Sequence, residues 1–159
     1  MATYTEFDLC VTNLEPLNAP LEAILPFFDC DLARFLTERG ERLARLGLPR
    51  WLEDISKLAS NDDLTPFFNR MTIENYRTAD GGVKAKLKLC GSGVKHYNEE
   101  LPKILLKTCK YGQPDSYFGW WKSEGSDVIH FAFCVKGKFL ALTQRECANL
   151  AIAALSAAP

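Results

Sequence analysis

The chain has 159 residues, 47% of them hydrophobic and 25% charged, with a net charge of −1. That is one ordinary domain, long enough to bury ~70% of its unfolded surface without metals or disulfide staples, and its composition excludes a disordered chain. A near-neutral total removes any whole-chain reason to expect nucleic acid or an acidic membrane as the partner.

The first ten residues have no basic start and no apolar run, so they do not read as a secretory signal. The longest low-charge stretch, residues 148–159, is shorter than the ~20 apolar residues needed to cross a bilayer. A cytoplasmic protein is the expectation. Six cysteines, Cys10, Cys30, Cys90, Cys109, Cys134 and Cys147, show no Cys-x-x-Cys spacing, and only His96 and His130 could join them at a metal. They read as buried, reduced thiols that fill space as small apolar residues, with no metal and no cofactor expected.

In chain order, Thr5, Phe7, Leu9 and Val11 alternate with polar neighbours and predict a half-buried strand. A turn over residues 13–20 follows. Between residues 21 and 46 apolar positions recur mostly every three or four residues, the helical period. Pro26 must break that segment, because it lacks a backbone donor and clashes with the preceding turn; Asp29 or Asp31 would cap the second piece. Pro49 opens a short helix carrying Trp51, Leu52, Ile55 and Leu58. Asn61-Asp62-Asp63 caps another carrying Leu64, Phe67, Phe68 and Met71.

The period then changes to two. Residues 72–78 and 83–90 flank Ala79-Asp80-Gly81-Gly82, a hairpin signal. Val83, Ala85, Leu87 and Leu89 face one way, and Lys84, Lys86 and Lys88 the other. Gly91-Ser92-Gly93 reads as a loop into a helix around residues 98–110, with Lys103, Lys107 and Lys110 as an outer stripe. Residues 117–122 pair with 127–135, with Ile129, Phe131, Phe133 and Val135 as the core face and His130, Ala132 and Cys134 opposite. A short strand at 139–142 precedes a final helix begun by the capping box Thr143…Glu146, its inner face Ala148, Ala151, Ile152 and Leu155. The fold class is therefore α+β: a mainly antiparallel sheet of about five to six strands with a helical layer from residues 20–71, one further internal helix and a C-terminal helix, all in one domain of residues 1–159.

Charge is sorted along the chain. Residues 1–69 carry six Lys/Arg against twelve Asp/Glu, and residues 70–159 thirteen against eight, so opposite nets of −6 and +5 hide inside the total. The acidic helices predict a docking surface of Asp29, Asp31, Glu38, Glu41, Asp62 and Asp63 for a protein partner with a basic surface. The alternative within the same helices is local neutralisation by Arg34, Arg39, Arg42 and Arg45 at helical spacing. The basic half predicts phosphate contacts from Lys84, Lys86, Lys88, Lys103, Lys107 and Lys110, with Tyr117, Trp120 and Trp121 as stacking platform or interface anchor. No arginine lies between residues 83 and 112, which weakens a base-reading role.

Catalytic patterns are thin. Cys90-Gly91-Ser92-Gly93-Val94-Lys95 is neither a P-loop nor a dinucleotide fingerprint, although a Cys90–His96 loop is the one place where a small enzyme could work. His130 and Cys134 lie four strand residues apart, ~13 Å, too far for a thiolate–imidazole pair. The expected function is a non-catalytic protein-binding module of inhibitor, adaptor or immunity type. Nucleic-acid binding through the lysine-rich hairpin and helix comes second, and no membrane partner is expected.

Overall fold

The computed structural model describes residues 3–25, 32–38, 45–96, 104 and 108–157. Its centre is β1 (Thr3–Leu14), a twelve-residue strand paired antiparallel on both sides, with β3 (Val83–His96) and with β4 (Ser116–Ser123). β2 (Met71–Arg77) flanks β3, while β5 (Ile129–Val135) and β6 (Lys138–Thr143) extend the other side. The result is a six-stranded antiparallel sheet in the order β2-β3-β1-β4-β5-β6. With helices added, the chain is an α+β protein.

The helices of the first half are short: α1 (Ala19–Ile24), α2 (Leu32–Glu38), α3 (Arg50–Ser56) and α4 (Thr65–Phe68). Local signals start them. Asn18 accepts the Leu21 amide at 3.1 Å and donates its own amide to the Leu46 and Gly47 carbonyls, so one side chain caps α1 and ties it to the entry of α3. α1 closes just before Pro26, and the expected break near residues 27–29, with its Asp29 or Asp31 cap, lies outside the described residues.

These helices bury Leu21, Leu25, Leu32, Phe35, Leu36, Trp51, Leu52, Ile55, Phe67 and Phe68 in one cluster with Phe7, Leu9, Val11, Met71, Ile73, Leu87 and Leu89 of the sheet. Phe7 and Phe67 meet with ring centroids 5.5 Å apart. Polar staples set the register. The Trp51 indole donates to the Glu15 carbonyl at 2.9 Å, and Asn75 both accepts the Leu17 amide and donates to the Leu17 carbonyl, each at 2.8 Å. Met71, expected at the end of the preceding helix, instead opens β2, because its backbone pairs with Leu89.

Three expectations change. The Cys90–His96 segment is strand, not a loop into a helix: β1 is long enough to template it, and Thr3 pairs with His96. The β5 faces are inverted. Trp121 lies opposite His130, and Gly119 opposite Ala132, so His130, Ala132 and Cys134 point to the core while Ile129, Phe131, Phe133 and Val135 point away. The C-terminal helix, α5 (Gln144–Ala157), begins with the expected Thr143–Glu146 box but buries no residue, so Ala148, Ala151, Ile152 and Leu155 form no inner face. Of the internal helix expected at 98–110, the described part is Ile104, Thr108 and a 3-10 turn at Cys109–Tyr111; Ile104 and Cys109 join the core.

β4 touches β1 with no room to spare. Gly119 sits at φ +134°, where a Cβ would stand 1.9 Å from the Asp8 carbonyl oxygen. Only glycine fits. The register shift between Tyr117 and Gly119 that accompanies it lets both Tyr117 and Trp120 stand on the uncovered face.

Candidate docking face

Strand alternation gives the sheet two faces. One is roofed by helices. The other carries, across the strands, Glu74 and Tyr76 of β2, Lys84, Lys86 and Lys88 of β3, and Glu6, Asp8 and Cys10 of β1. It continues with Tyr117, Trp120 and Lys122 of β4, Ile129, Phe131 and Phe133 of β5, and Leu140 and Leu142 of β6. None of these side chains is buried. Nothing among the described residues roofs this face.

The face is divided. Its β2–β3–β1 end is polar: Lys86 reaches Glu74 at 3.1 Å and lies over the Tyr76 ring, 5.7 Å from its centre. Its β4–β5–β6 end is aromatic and aliphatic. Tyr117, 53% exposed, packs beside Phe133 and Phe131 with ring centroids 5.5 and 6.2 Å away. Asp8 stands between the two ends, paired with Cys90 on one side and Trp120 on the other. Its carboxylate, after burial, is the second cause that raises the Tyr117 phenol above its usual range. The Cys10 thiol is likewise raised, chiefly by burial, against the opposing pull of Lys86 and Lys88.

The expected site residues scatter. Trp121 is not an anchor: it is 6% exposed and stacks on His130 at 5.1 Å within the core. Trp120 is half-buried on the open face, and Tyr117 beside it is the exposed aromatic. Lys84, Lys86 and Lys88 share that face as expected, but Lys110 does not join them. It sits against α3, 3.7 Å from Asp54 and over the Tyr111 ring. Lys103 and Lys107 lie outside the described residues.

Of the acidic set, Asp29, Asp31 and Glu41 lie outside the described residues, as do the side chains of Glu38 and Asp63. Asp62 is exposed. Asp54, on the next helix, accepts the Tyr111 hydroxyl at 2.6 Å and faces Lys57 and Lys110, so local partners offset its charge. The residues that sequence reasoning missed are Phe131, Phe133, Leu140 and Leu142. The signal for them was present as alternation in β5, but alternation marks two faces without saying which one is roofed.

The residues named for the catalytic alternative lie on β3. Cys90 and His96 are six residues apart on one extended strand, ~20 Å, and an exposed Cys90 flanked by strand backbone is not an anion-cradling loop. The cysteines divide as well: Cys109 and Cys134 are buried, Cys10 and Cys147 half-buried, and Cys90 exposed, so only two of the five described behave as core residues. The Cys109 thiol is pushed up to about 11 by burial and by the neighbouring Cys134, whose thiol donates to the Cys109 carbonyl at 3.5 Å. Among the described residues no cluster of three His, Cys, Asp or Glu could hold a metal, and no helix is long and apolar enough to cross a membrane.

No protein-family model matches the chain, and no curated protein or solved structure does either.

Proposed function

We propose that this chain is a non-catalytic protein-binding module that docks through the aromatic end of its open sheet face. One observation carries the reading: the exposed Tyr117 and the half-buried Trp120, Phe131 and Phe133 stand together on a sheet face that no described residue roofs. Single exposed apolar residues are ordinary, but a contiguous patch rimmed by charge is what binding surfaces look like. Aromatics on strands also lose little freedom on docking, which suits them as anchors. The rim adds selectivity. The rim is mixed, Lys84, Lys88 and Lys122 standing beside Glu6 and Asp8, and favours a partner whose apolar ridge is bordered by charges of both signs. This reading places the docking surface on the sheet; of the acidic set first expected to dock, only Asp62 is described with its side chain.

A second reading, single-stranded nucleic acid, draws support from lysines and aromatics sharing one face. Against it, Glu6 and Asp8 lie in the strand between them, where they would repel phosphates. One experiment separates the two. Capture from nuclease-treated lysate is compared for the wild type, for Tyr117→Ser with Trp120→Ser, and for Lys84→Glu with Lys88→Glu. The docking reading expects a protein retained by the wild type and lost with the aromatic pair, in a variant whose circular dichroism is unchanged. Capture indifferent to the aromatic pair sinks it, and direct retardation of single strands that weakens steeply with salt would transfer the face to the second reading.

A further inference from the structure

The two edges of the sheet are finished differently. β2 carries Glu74 and Arg77, and Asn75 and Tyr76 tie it inward to the segment after β1. Charges and ties of this kind keep an edge from pairing with a stranger. β6 has no such protection. Its sequence is Lys-Phe-Leu-Ala-Leu-Thr, it runs beside β5 without a register shift, and one charge stands at its start. It is a short, regular, apolar edge, and among the described residues no strand pairs with its outer side.

α5 follows it directly. Its first turn is pinned: the Gln144 side chain donates to the Asp127 carbonyl and accepts the Ile129 amide at 2.8 Å, and Glu146 closes the box on Thr143. Beyond that turn every residue from 148 to 157 is exposed, with Leu150 at 58%, Ile152 at 62% and Leu155 at 77%. No Asp, Glu, Lys, Arg or His follows Glu146, and from residue 148 to 157 only Asn149 and Ser156 are polar. A helix this apolar is normally a buried one, and at fourteen residues an unpacked helix is marginal. The pinned start leads it away from its own sheet, and no described residue of its own chain covers it.

We infer that a second copy of this chain supplies that cover: β6 pairs antiparallel with β6 of another copy, and each α5 packs on the other chain. An antiparallel edge meets its own image across a two-fold axis normal to the sheet, so one strand supplies both halves of the match. Same-face pairing puts either Leu140 or Ala141 on that axis. In both registers Lys138 lies opposite an uncharged residue, Leu142 or Gln144, and no like charges meet. The lack of charge on α5 also fits a partner chosen by shape and not by electrostatic pairing. A standard stable interface takes about 800 Å² from each partner, and the exposed length of α5 together with the outer margin of β6 is the surface that would supply it. The interface takes the β6 margin of the open face, leaves Tyr117, Trp120 and Phe131 free, and does not rest on the docking role proposed for them.

Sedimentation equilibrium of the full chain tests this. The expected mass is twice 17.9 kDa, with a dissociation constant that Leu140→Lys, and separately Leu150→Lys with Ile152→Lys and Leu155→Lys, raise by about tenfold or more. Leu140→Cys and, separately, Ala141→Cys place the new thiol at the axis in one register each; one of the two is expected to cross-link to a covalent dimer under mild oxidation that leaves the wild type uncross-linked, and this keeps the test valid if a lysine variant fails to fold. A chain that stays monomeric to about 200 µM overturns the inference. So does a dimer indifferent to both lysine variants, or a monomer that co-sediments with phosphatidylcholine vesicles through α5.

Discussion

The two faces of one sheet teach different things about the same alternation. On the roofed face Phe7, Leu9, Val11, Leu87 and Leu89 are each buried against short helices that are themselves stapled by Asn18, Trp51 and Asn75. On the open face residues just as apolar, Phe131, Phe133, Leu140 and Leu142, have strand neighbours but no helix over them among the described residues. Apolar patterning therefore specified that side chains would share a face. Whether the face became core or surface depended on which helices arrived to cover it.

The difference can be broken most severely at Gly119, where the two halves of the sheet join. Gly119→Ala puts a Cβ into the Asp8 carbonyl at a backbone angle that side chains avoid. It should cost ~3 kcal/mol or more in urea unfolding, and a loss below ~1 kcal/mol would mean the β1–β4 junction is looser than described. On the roofed face, Trp51→Ala removes a wholly buried indole and its bond to Glu15, for an expected ~3–5 kcal/mol. Asn75→Ala leaves the Leu17 amide and carbonyl without their partner and should cost ~1–3 kcal/mol.

The open face should respond quite differently. Tyr117→Ser is expected to change stability by no more than ~0.5 kcal/mol while abolishing partner capture. A large loss of stability there would mean that Tyr117 serves the fold instead of docking. The smallest effect is one of pH. The folded-state thiol of Cys109 holds its proton up to about 11, above its ordinary value of 9.0. Its contribution to stability is thus complete below pH 9 and declines as pH rises towards 11. Comparing the unfolding midpoint across that window in the wild type and in Cys109→Ala isolates it from lysine titration: the variant should show the shallower decline.

Local chemistry made much of this legible in advance. Alternation located β1, the Asp80-Gly81-Gly82 turn located the β2–β3 hairpin, Pro49 opened α3, and the Thr143–Glu146 box started α5. Each signal acts within a few residues, and no distant contact was needed to read it. Adjacent strand residues take opposite faces, and Trp121 is in the core while Trp120 is on the open face.

What failed were statements about the far side of an element. Residues 91–96 became strand because β1 offers them a pairing partner, a long-range reward that outweighs the turn tendency of Gly91-Ser92-Gly93. His130, Ala132 and Cys134 took the inside of β5 because their register with Trp121 and Gly119 turns them towards the roof, although Phe131 and Phe133 are the more hydrophobic set. The apolar positions of α5 promised a core contact that the pinned first turn carries away from the sheet. Sequence alone determined the period, the turns and the caps, since those energies are paid within one turn of chain. Only the tertiary structure decided which apolar surfaces were buried, because burial belongs to pairs of surfaces, and the second member of each pair lies many residues away or on another molecule.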